Sequence, residues 1–87
     1  MVFVMQMRLC DLNVNNRAEV VEVSAEGDIR RRFLDIGLIE GTEVECIGKI
    51  PSGDPSAYFI RGAAIAIRKK DASEVLVRLL GGEQNGK

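Results

Sequence analysis

The basic runs Arg30-Arg31-Arg32 and Arg68-Lys69-Lys70, with the carboxylates Asp35, Glu40 and Asp54 scattered between them, are the side chains of this 87-residue chain best suited to chemistry or ionic contact. The chemistry they allow is narrow. The chain has no histidine, so neither a two-histidine-one-carboxylate iron site nor a histidine-bearing zinc site can be assembled within it. Asp35, Glu40 and Asp54 offer oxygen ligands suited only to weak cation binding. The usual general base is also missing. Gly48-Lys49-Ile50-Pro51-Ser52-Gly53 begins like a phosphate loop, but Asp54-Pro55 follows where Gly-Lys-Ser/Thr is needed, and a carboxylate facing phosphate repels it. The basic runs suit nucleic acid in charge alone, because stacking partners are scarce: one Tyr, Tyr58, and no Trp. Protein recognition is what remains. Arg31, Arg32, Asp35, Leu38, Asp54 and Arg61 are the candidate contact residues, with Leu38 or Ile39 as the apolar element after the helix; Leu38 is equally placed to dock the helix onto the barrel.

The elements that must position them follow from periodicity. Ile29, Phe33 and Ile36 recur at i, i+4 and i+7, which predicts a helix over Asp28–Ile36 with Arg30, Arg31 and Asp35 towards water. Asp28 is placed to cap it, and Gly37 to end it in the left-handed conformation. Asp35 lies at i+4 from Arg31, a spacing that supports a helix by a few tenths of a kcal/mol. Strands are expected over Ala18–Val23, Thr42–Ile50, Ala57–Ile60, Ala64–Arg68 and Glu74–Leu79. Adjacent Val20 and Val21 break the alternation of the first and allow a bulge. In the second, alternation puts Thr42, Val44, Cys46, Gly48 and Ile50 on one face, with Cys46 in the core. Turns are expected at Asn15-Asn16, at Arg61-Gly62 and over the rigid Pro51–Pro55 loop.

Composition sets the limits. Apolar residues make up 46% and charged residues 29%, with a mean hydropathy of +0.02, as in a globular domain rather than a membrane span. A chain this short buries only about 60 to 65% of its unfolded surface, enough for one core. The net charge of −1 provides no general field towards nucleic acid or anionic membranes. Cys10 and Cys46 are too few for a disulfide framework. The opening MVFVMQM has no basic residue and is short for an export signal, so a cytoplasmic location is expected. Short strands with tight turns favour a small closed or nearly closed β-barrel with one short α-helix. The alternative is an α+β sheet with the helix on one face.

Arg31-Arg32 followed by Leu34-Asp35-Ile36-Gly37-Leu38, then Gly41-Thr42-Glu43-Val44, Gly53-Asp54-Pro55, and Arg61-Gly62 before an alternating strand resemble the FeoA family of ferrous iron transport. The resemblance covers about Met7 to Val77. It departs at Asn15-Asn16-Arg17, where the family usually carries glycine. It implies an SH3-like β-barrel over 7–79, with residues 1–6 as an extension and 80–87 as a flexible tail. It also implies a non-enzymatic accessory role, without cofactor or membrane insertion, on the cytoplasmic side of the GTP-hydrolysing permease FeoB. Homo-oligomers are compatible with it. A metal-linked transcriptional regulatory domain and a weak transition-metal-binding module are the alternatives.

Overall fold

The computed structural model describes residues 5–80. The element order is β1 (Gln6–Arg8), a 3-10 turn (Leu9–Asp11), β2 (Arg17–Val23), α1 (Gly27–Ile36), β3 (Glu43–Lys49), β4 (Ser56–Ile60), β5 (Ala63–Ile67), α2 (Lys69–Ala72) and β6 (Val75–Leu80). The strands form one antiparallel sheet ordered β1-β6-β2-β3-β4-β5. Gln6 and Leu80 are thus strand residues. The tail from Gly81 onward lies outside the described residues.

The expected SH3-like barrel is not formed, because no ladder joins β5 to β1 and the sheet stays open. The protein is mainly β with one helix longer than a single turn. Its edges are managed in another way. β1 is only three residues long. At the other edge, α1 runs alongside β5 in the opposite direction: Ile29 near its start shares a groove with Lys70, beyond the end of β5, while Gly37 just past its end meets Arg61, before the start of β5. Between these points Arg32 donates to the carbonyl of Ala66 at 3.3 Å. This bond ties the helix to the edge, while Ala63, Ala64 and Ala66 of β5 stay exposed.

α1 docks by the face its periodicity marks. Phe33 is buried, and Ile29 and Ile36 pack half-buried against the core. Full burial of a phenylalanine contributes about 2 to 3 kcal/mol. Asp28 lies in the first turn rather than at the cap, which is Glu26 and makes no side-chain capping bond. The helix ends in a Schellman arrangement, with Gly37 N–H donating to Leu34 O and Leu38 N–H to Phe33 O, and Gly37 at φ 84°. This hands the chain straight to Leu38, which is fully buried beside Phe33. Thr42 closes the following loop by donating from its hydroxyl to Gly37 O at 2.7 Å, and Gly41 N–H and Thr42 O bond the main chain of Val20.

The bulge allowed by Val20-Val21 is present, since the β2–β6 register shifts between Val20 and Glu22. A second shift between Cys46 and Gly48 interrupts β3. Thr42, Val44 and Cys46 are therefore buried as alternation requires, but Ile50 beyond the shift is exposed and so is Ile47. Asn15 takes φ 76° in its turn. On the outer face Arg17 pairs with Glu43 across β2–β3, and Arg78 with Glu19 across β6–β2.

Two consequences are measurable. A Cβ at Gly37 would collide with Arg61 Cδ and lie 2.9 Å from its Nε, in addition to being strained at positive φ. Gly37→Ala should lower stability by about 1 to 2 kcal/mol in urea unfolding. Adding Arg61→Ala should recover the steric part only, so additivity in this double-mutant cycle would dismiss the contact.

Tyr58 is buried, and its hydroxyl donates to Leu9 O at 3.2 Å. Burial pushes its pKa up to about 12. Because the folded state holds this proton more tightly than the unfolded chain, the stabilisation is complete below about pH 10 and lost as pH rises towards about 12, about 2 to 3 kcal/mol in all. Chemical unfolding across that range should show the decline, and Tyr58→Phe should lessen it.

Candidate partner-binding surface

The structure separates the six candidate residues instead of gathering them. Leu38 is a correction: it has no exposed surface and serves the core, because the Schellman turn points it inward behind Phe33. Asp54 has an internal role, its Oδ1 accepting from the Lys69 N–H at 2.8 Å and thereby capping α2, whose own N-cap residue Arg68 makes no capping bond. Arg32 is directed at β5 through Ala66 O. Arg31 and Asp35 are exposed on α1, and the ion pair their spacing suggested does not form.

Arg61 has the most unusual backbone of the six. It occupies φ 47° before Gly62 at φ 89°, so both central residues of the β4–β5 turn are left-handed. Asparagine and glycine take that conformation cheaply and arginine does not. Its side chain lies over Gly37, at the end of a helix with no basic residue in its own last turn. A cation there complements the helix dipole. Arg61 therefore latches the hairpin to α1.

The open apolar surface lies elsewhere. Leu34 and Ile39 are 53% and 43% exposed, and with the half-buried Val23 they border a groove of about 530 Å³ that lies over the buried Phe33 and Leu38. Leu34 was missed although its signal was present: it adjoins Phe33 but falls off the Ile29–Phe33–Ile36 stripe, so burying that stripe turns Leu34 outward. Ile39 is held out by the loop that Thr42 closes. A second exposed pair, Phe59 and Ile47, lies on the outer side of β4 and β3. Sequential Tyr58 and Phe59 must face opposite ways in a strand, and Tyr58 takes the core.

Among the described residues no three His, Cys, Asp or Glu side chains gather as a metal site. Cys46 is buried, and burial pushes the half-buried Cys10 thiol up, with Asp11 adding to the effect, so neither is an activated nucleophile. Among those residues no helix is long and apolar enough to cross a membrane.

An open β-sheet with one docked helix and an apolar groove at the helix end define a small, mainly β domain. The FeoA domain model matches residues 7–79, and the chain belongs to that family. It is 31% identical over 74 residues to the Fe(2+) transport protein A/Fe(2+) transporter FeoB fusion protein of Porphyromonas gingivalis, a match spanning 85% of this chain and 9% of that protein. Among solved structures it is similar to the FeoA protein of Chlorobium tepidum, with 35% identity and a TM-score of 0.82, covering 90% of this chain and 74% of that one. The FeoA-like protein of Clostridium acetobutylicum matches at 30% identity and a TM-score of 0.82, over 99% and 98% of the two chains.

The capping role of Asp54 is open to test. Asp54→Ala should cost about 0.5 to 2 kcal/mol in urea unfolding, with amide exchange at Lys69 accelerating, while Asp54→Asn keeps an acceptor and loses less. Equal losses in both variants, without a change at Lys69, would assign the aspartate some other role.

Proposed function

We propose that this chain is a cytoplasmic accessory domain of ferrous iron uptake that binds a FeoB-type permease and performs no catalysis itself. The observation carrying this reading is the Porphyromonas gingivalis relative, in which a matching segment and a FeoB transporter belong to one polypeptide. Joining two domains raises their concentration around each other to the millimolar range, which serves domains that work in contact. The contact surface is the Leu34–Ile39 groove, where apolar side chains stand exposed at the end of α1 and in the loop after it. Apolar anchors of this kind carry most of the binding energy, while Arg31 and Asp35 on the exposed helix form the polar rim. The regulatory alternative gains no support from residues 5–80, where α1 and the four-residue α2 make no helix pair fit for a major groove.

The test is interferometry against a detergent-solubilised FeoB-type permease from the same source. Leu34→Ser with Ile39→Ser should weaken binding by about 1 to 3 kcal/mol at an unchanged melting temperature, and Arg31→Glu should act mainly on the association rate. Absence of wild-type binding, with and without guanine nucleotide, would remove the permease as partner. Undiminished binding by the double variant would remove the groove.

A further inference from the structure

The groove beside Leu34 and Ile39 has charges on its rim that select a ligand. Glu22, on β2, and Glu40, in the turn before β3, line the same opening. Both are exposed, and neither has an ionic partner: the ion pairs among the described residues are Arg17–Glu43 and Arg78–Glu19. The cation in the groove wall is Arg30, and its guanidinium is turned to the main chain, donating to Val23 O at 3.4 Å. The exposed apolar side chains of Leu34 and Ile39 are thus bordered by two carboxylates and one arginine, a rim of net negative charge whose cation is turned to the main chain.

We infer that the groove receives a cationic amphipathic segment, with its apolar side chains against Leu34 and Ile39 and a Lys or Arg beside Glu22 and Glu40. An acidic segment with the same apolar face is repelled at the rim, and a purely apolar one leaves the carboxylates without a partner. Discrimination of this kind uses attraction and repulsion together. The inference rests on the proposed function only in identifying the partner as the permease, since the ligand chemistry can be tested without it.

The probes are two synthetic amphipathic helices of equal length, one of leucine and lysine and one of leucine and glutamate, titrated into the labelled protein and followed by amide chemical shifts. The lysine helix should bind at least about tenfold more tightly at low salt, with the preference shrinking as salt rises and shifts centred on Val23, Leu34 and Ile39. Glu22→Lys with Glu40→Lys should invert the order of the two helices. If that pair lowers the melting temperature, Glu22→Gln with Glu40→Gln replaces it and should abolish the preference without inverting it. Equal binding of both helices by the wild type, a preference unmoved by the substitutions, or shifts centred on Phe59 and Ile47 would overturn the assignment. Inverted selectivity without permease binding would keep the groove chemistry and discard the permease. Permease binding without selectivity would do the reverse.

Discussion

The structure depends on how one short helix is fixed to an open sheet. α1 has ten residues, below the length at which an isolated helix holds in water, so its stability comes from where it docks. Phe33 supplies the apolar anchor, the Schellman turn carries Leu38 into the same core, and Thr42 ties the loop back. Arg32 adds a polar tie to β5, and the Arg61 side chain of its hairpin packs over Gly37. Remove this docking and β5 loses its bond to Arg32 while the groove loses a wall.

Arginine does several jobs here. Of the residues that look equally available in sequence, Arg30 bonds the β2 main chain, Arg32 bonds β5, Arg61 sits over a helix end, and Arg17 and Arg78 join outer-face ion pairs. Exposed ion pairs contribute at most about 1 kcal/mol. Their effect is to align strands and leave other charges uncompensated. At the groove those are the two glutamates, so the recognition character of the surface depends partly on which cations are already engaged elsewhere.

Local patterns made α1, the left-handed Gly37 and the β2 bulge legible in the sequence, because each is set by residues within a turn or two. Barrel closure was not legible. Whether two edges meet depends on strand lengths and on what lies between them, and short strands with tight turns fit an open sheet guarded by a helix equally well. α2 was missed for a similar reason: Lys69–Ala72 shows no apolar period, and the cap on its first turn comes from Asp54, fifteen residues earlier. The family resemblance pointed to the correct family and overstated the closure. At the surface, charge and glycine motifs drew attention to Leu38, Asp54 and Arg61, which the fold uses internally. Of the exposed apolar pair, Ile39 was legible as the apolar residue after the helix, while Leu34 was missed although the helical stripe leaves it out.

β5 reads Ala63-Ala64-Ile65-Ala66-Ile67, a strand without charge, proline or glycine. Natural edges usually carry a lysine or a kink to deter other chains, and here α1 reaches the edge through the Arg32 bond to Ala66 O. Helix undocking is a local event and costs less than global unfolding. Once the helix leaves, the uncharged, β-prone edge loses that bond and the core surface that Phe33 covered opens to water. An uncharged edge of this kind favours strand-paired self-association at high concentration, the more so the less time the helix spends on the sheet.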